Sequence, residues 1–142
     1  MNGYEFRLAT PPELKRFYEA PALPRMRATW GLFVHGEIKG ACGIVVDPKD
    51  IGSILEEDAR HVAFFDLHLE KAPLPLAAEI VRRVRDWLRD YGRPVWAQHD
   101  DRHPQAAKFL SVIGFRPTGK MRSDLQNTGR MLQMWVRPND KK

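Results

Sequence analysis

Asp66 and His68 stand two residues apart in the run HVAFFDLHL, His61 to Leu69. In a strand they would share one face, opposite Phe65, Leu67 and Leu69. Either side chain could take a proton from a nucleophile, directly or through a water, the work of a general base. The plainer use of such a pair is hydrogen bonding to a neighbouring strand or loop. A second polar cluster, HDDRH at His99 to His103, holds two imidazoles and two carboxylates that could ligate zinc or manganese. Its uneven spacing in one loop, with no distant fourth ligand, favours a polar turn in which Asp101 or His103 caps the next helix. No nucleotide P-loop, zinc signature or Ser-His-Asp order is found.

The elements that must position these groups follow from periodicity. Tyr4, Phe6 and Leu8 alternate with polar residues as in a half-buried strand. Thr10 and Glu13 have capping-box spacing, and Pro11 suits a first helical position, so a helix carrying Leu14, Phe17 and Tyr18 follows. Thr29 to Val34 and Ile38 to Val46 read as a hairpin turned at His35-Gly36. His61 to Leu69 is the best central strand. Leu76, Ile80, Val84, Trp87, Leu88 and Tyr91 then mark one face of a long helix, which Gly92 and Pro94 stop. PVWAQH is a short strand. Pro104 opens a helix with Ala106, Phe109, Leu110 and Ile113 on one face, ended by Gly114, and strands at Phe115 to about Met121 and Arg130 to Val136 complete the chain. The order β-α-β-β-β-α-β-α-β-β predicts an α/β (α+β) fold with a mixed sheet of about seven strands, in one domain over residues 1–142.

Composition narrows the class. The 142 residues are 43% apolar and 29% charged, an ordinary folded composition, with no apolar run long enough to span a bilayer. No secretory signal is evident, and the lone Cys42 cannot form an internal disulfide, so a cytoplasmic, reducing setting is expected. The net charge of +5 suits an anionic partner such as a phosphate-bearing coenzyme. Apart from RRVRDWLRD and the terminal KK the cations are dispersed, which argues against nucleic acid, although a small nucleic-acid-binding domain using Arg82 to Arg89 stays open.

The element order, together with HPQAAKFLSVIGF, resembles the GNAT superfamily of acyl-coenzyme A N-acyltransferases. That family carries Asn-x-x-Ala-x-x-aromatic-Tyr-x-x-x-Gly-Phe on the helix beside the coenzyme; here the positions hold His103, Ala106, Phe109, Leu110, Gly114 and Phe115. The hairpin LFVHGEIKGACGIVV resembles the family's central antiparallel pair. The resemblance implies transfer of an acetyl or acyl group from acetyl-CoA or another acyl-CoA to an amine, with Asp66 or His68 as base. Leu67, Leu69, Lys71, His103 and Phe109 would lie at the cofactor. Glu56, Glu57 and Asp58 are either a solvated loop or the lining of an amine entrance.

Two departures weigh on that activity. The family's Gln/Arg-x-x-Gly-x-Gly/Ala loop binds pyrophosphate through backbone N–H groups at a helix N-terminus. Here KAPLPLAA, Lys71 to Ala78, has no glycine, and Pro73 and Pro75 have no N–H to give. Lys71 offers only a side-chain charge. The tyrosine that in many members protonates the departing thiolate is Leu110, and Ser111 points about 100° away. Short GNAT-like proteins of bacteriophages, internal virion proteins among them, look similar in these respects. The alternative to an enzyme is therefore an inactive structural or binding protein of that kind, with a protein partner, in a host cytoplasm or virion.

Overall fold

The computed structural model describes residues 3–46, 61–68, 72–100, 104–124 and 130–138. Among the described residues ten elements follow the expected order: β1 (Tyr4–Leu8), α1 (Pro11–Tyr18), β2 (Met26–Val34), β3 (Glu37–Val46), β4 (His61–Asp66), α2 (Leu74–Asp90), β5 (Val95–Asp100), α3 (Pro104–Val112), β6 (Arg116–Asp124) and β7 (Arg130–Arg137). The seven strands form one sheet in the order β1-β2-β3-β4-β5-β7-β6. All neighbours are antiparallel except β4 and β5, which run parallel with α2 as their crossover.

Local chemistry explains the element ends. The Thr10 hydroxyl accepts the Glu13 N–H, and the Glu13 carboxylate accepts the Thr10 N–H at 2.9 Å, closing the capping box on α1. Arg7 adds a two-armed contact to the same carboxylate, at 3.2 and 2.9 Å. The hairpin turn has φ of 50° at His35 and 82° at Gly36, the paired left-handed residues of a tight two-residue connection. Gly114, at φ 102°, ends α3, and the Phe115 N–H bonds the Leu110 carbonyl at 2.9 Å, folding Phe115 back over the last turn. Arg137 donates from Nε to the Ile113 carbonyl just past α3, at 3.3 Å, and from Nη1 to Leu88 O of α2, at 3.5 Å.

Helices cover both faces of the sheet. Leu76, Ile80, Val84 and Leu88 of α2, with Leu110, Ile113 and Phe115 in and after α3, bury the face bearing Phe6, Leu32, Cys42, Ile44, Ala63, Val95, Ala97 and Trp135. The opposite face carries the smaller cluster of Val62, Trp96 and Val136, and α1 packs there, its Tyr18 meeting Phe64. The basic helix is partly consumed by this packing. Arg83 donates to the Phe6 carbonyl at 2.7 Å and lies over the stacked Phe6 and Trp30 rings, while Arg89 pairs with Asp86 and Asp90.

The α1 cap yields an acid-stability prediction. The Arg7 guanidinium, followed by the Thr10 N–H, holds the Glu13 carboxyl down at about 2, against an ordinary value of 4.5. The lowered value means that the cap's contribution is complete above about pH 4.5 and is lost as pH falls through about 2. Glu13→Gln is expected to flatten the acid limb of the unfolding midpoint measured between those values; an acid limb identical to wild type would contradict this.

Candidate active site

The sheet opens between its two parallel strands. Val62 and Trp96 form the one β4–β5 register pair among the described residues. Beyond it β4 stays zipped to β3 as far as Asp66, and β5 stays zipped to β7 as far as Asp100. The two strands therefore part toward their C-terminal ends, leaving a wedge bounded by the edge of β4 after Val62 and the edge of β5 after Trp96. Ligands of parallel sheets characteristically bind at such ends. The N-termini of α2 and α3 follow those strands in the chain and stand at the same end of the sheet.

Asp66 closes β4, with its side chain on the α1 face and exposed at that end. Its carboxylate accepts the phenolic O–H of Tyr18, the last residue of α1. Tyr18 is wedged edge-on against Phe17, with centroids 4.8 Å apart, and against Phe64 at 6.2 Å. Burial, then the hydrogen bond to Asp66, pushes its ionisation far above the ordinary phenol range. Phe64 in turn leans over Gly43, where a Cβ would fall 3.1 Å from the Phe64 ring and 2.8 Å from Thr29 Oγ1. Cys42, the small buried strand residue expected from its neighbours, is pushed up to about 12 by burial and by the Asp66 charge, which makes it inert as a nucleophile.

The other candidate residues are placed as follows. β4 ends at Asp66 instead of continuing to Leu69, so His68 lies beyond the strand and strand alternation does not fix it beside Asp66. His68 is exposed. Leu67 is partly buried against the main core, over Gly40. Phe109 is partly buried and meets Phe65 edge-on at 5.1 Å, tying α3 to β4 on the face opposite Asp66. Leu69, Lys71 and His103 lie outside the described residues, as do Asp101 and the acidic run Glu56 to Asp58. Within the HDDRH cluster the imidazole of His99 is engaged, its Nδ1 accepting the Trp135 indole N–H at 2.7 Å. No group of three or more potential ligands for a metal occurs among the described residues.

Both prolines fall at the start of α2, Pro75 one position further into the helix than the first helical residue. Pro73 is the N-cap and makes no side-chain cap hydrogen bond, Leu74 is the first helical residue and Pro75 the second. Ala77 N–H already bonds the Pro73 carbonyl at 3.0 Å. From Pro73 to Leu76, only Leu74 and Leu76 carry an N–H. The N-terminus of α2 therefore offers an anion half the backbone donors that a helix start ordinarily carries. Tyr18 is the residue that sequence reasoning passed over. The available signal was a phenol on the apolar side of α1, since a buried tyrosine hydroxyl must find a partner.

The architecture is that of GNAT-family acetyltransferases. A GNAT-family acetyltransferase from Streptococcus pneumoniae superposes with a TM-score of 0.66 at 15% identity, covering 96% of this chain and 99% of that one. The ribosomal-protein-S5-alanine acetyltransferase of Vibrio fischeri gives 0.62 at 14%, covering 99% and 96%. The yncA protein of Salmonella typhimurium, solved with its cofactor acetyl-CoA, gives 0.65 at 14%, covering 98% and 95%. No family model and no curated protein sequence matches the chain. At these identities the likeness concerns the fold. No helix among the described residues is long and apolar enough to cross a membrane.

Proposed function

We propose that the protein transfers an acyl group from an acyl-CoA to an amine at the wedge between β4 and β5. The observation that carries this reading is the parting of the two strands after Val62 and Trp96, with Asp66 at the mouth. Strand edges that leave each other can take an extended, amide-bearing ligand by main-chain hydrogen bonding, as an added strand would. Bound acyl-CoA supplies an activated thioester. The amine nitrogen forms the new C–N bond to the acyl carbon, the C–S bond breaks, and the electron pair leaves on sulfur. Asp66 takes the proton that the nitrogen must lose, and the thiolate leaves without a dedicated acid, because Leu110 lies in the core. Lys71, Leu67, Leu69, His103 and Phe109 remain the proposed cofactor contacts.

Release of free thiol from acetyl-CoA in the presence of primary amines tests the reading, and Cys42 is too buried to contaminate a thiol reagent assay. Asp66→Asn is expected to lower turnover by about 10²- to 10⁴-fold, the usual worth of a positioned base. Wild-type turnover equal to that of Asp66→Asn would contradict it.

A second reading, the same scaffold used for binding without catalysis, is favoured by the two prolines at the start of α2. A role in a bacteriophage virion would be one form of it, but none of the three neighbours described above speaks for that form.

A further inference from the structure

We propose that Tyr18 is a positioning residue for the acceptor amine, acting through Asp66, and that the aromatic rings beside this carboxylate select among amines, favouring cationic acceptors over acidic ones. This rests on the acyltransfer reading above. Asp66 is the last residue of β4, where an exposed carboxylate would otherwise sample several rotamers. The Tyr18 hydroxyl takes one carboxylate oxygen and fixes the plane of the group. The donor is itself held. Tyr18 ends a helix anchored by the Thr10–Glu13 capping box and the Arg7–Glu13 pair, and its ring is clamped between Phe17 and Phe64.

The surroundings of the carboxylate define what it would recognise. Tyr18 and Phe64 put aromatic surface on the same side of β4 as Asp66, and Gly43 is what lets Phe64 settle there. A carboxylate flanked by rings suits an ammonium group, which gains from both the opposite charge and the ring faces. An acidic acceptor would meet the Asp66 charge and be repelled. The amine thus binds as a cation and gives one proton to solvent at the exposed mouth of the site to become nucleophilic. The remaining proton that nitrogen must lose passes to Asp66 as the C–N bond forms, and the C–S bond breaks with its electron pair leaving on sulfur. Tyr18 neither gains nor loses a proton; it keeps the accepting oxygen in place.

A double-mutant cycle of Tyr18→Phe and Asp66→Asn separates this role from simple support of the fold. With acetyl-CoA and phenethylamine as probes, Tyr18→Phe is expected to lower kcat about tenfold with little change in the KM for acetyl-CoA. The same change made on Asp66→Asn is expected to have no further effect. Equal losses in both backgrounds, or no loss in the first, overturn the role of Tyr18 while leaving the acyltransfer reading intact. Asp66→Asn as active as wild type, or no turnover of any amine by wild type, overturns both. Better turnover of a carboxylate-bearing acceptor such as glutamate than of phenethylamine overturns the acceptor class alone. A readout independent of activity is the ultraviolet titration of the three tyrosines. The Tyr18 phenol should resist ionisation as pH rises in the wild type, through burial and the Asp66 hydrogen bond, and should resist it less in Asp66→Asn; an unchanged titration means that the two side chains are not coupled.

Discussion

Replacing Pro73 and Pro75 together by glycine is expected to tighten acetyl-CoA binding about tenfold or more. The change restores two backbone N–H groups to the first turn of α2 and lets that turn approach a phosphate closely. A hydrogen bond to a charged oxygen contributes about 1.5–3 kcal/mol, so two added donors could tighten binding by several kcal/mol. Part of that is offset by ordering glycine, about 1 kcal/mol at each position. The variant should also unfold at a lower temperature, because proline restricts the unfolded chain. Calorimetric titration of both proteins with acetyl-CoA reads the first effect and thermal unfolding the second. An unchanged affinity would mean that the pyrophosphate is held away from α2.

Leu110→Tyr, which places in α3 the tyrosine that many acetyltransferases of similar fold would carry there, is expected to damage the protein instead of improving it. Leu110 is 3% exposed and belongs to the main core with Ile113 and Phe115. A phenol there exceeds the available volume, which costs about 1–3 kcal/mol, and its hydroxyl would need a partner inside an apolar cluster. At about 2–4 °C per kcal/mol for a chain somewhat larger than this one, the unfolding midpoint should drop by several degrees. Thiol release from acetyl-CoA should not rise. A stable variant with faster turnover would show that α3 can present a side chain at position 110 to the thioester.

Local signals carried most of the architecture. The 3.6-residue spacing of Leu76, Ile80, Val84 and Leu88, the Thr10–Glu13 box and the Gly114-Phe115 ending each depend on residues within a few positions of one another, and each has its expected counterpart in the structure. β4 ends at Asp66, short of the Leu69 that the alternation of HVAFFDLHL predicts, because that alternation continues past the point where β3 stops pairing with the strand. Likewise β2 begins at Met26, three residues earlier than the apolar pattern suggested, since its ladder with β3 reaches Val45. The site was less readable for the same reason. The parting of β4 and β5 and the meeting of Tyr18 with Asp66 join residues more than thirty positions apart, and no local pattern encodes which strand edges fail to pair. Of the polar candidates, Asp66 gained a partner that gives it a defined orientation, while His99 is engaged with Trp135.

The most direct measurement is an amide-resolved NMR titration of the full chain with acetyl-CoA. Binding in the wedge should shift the amides of Ala63 to Asp66 on β4 and of Ala97 to Asp100 on β5, together with Leu74 and Leu76. The amides of β1 should stay still. No shifts at millimolar acetyl-CoA, or shifts clustered away from those two strands, would contradict a coenzyme site between β4 and β5.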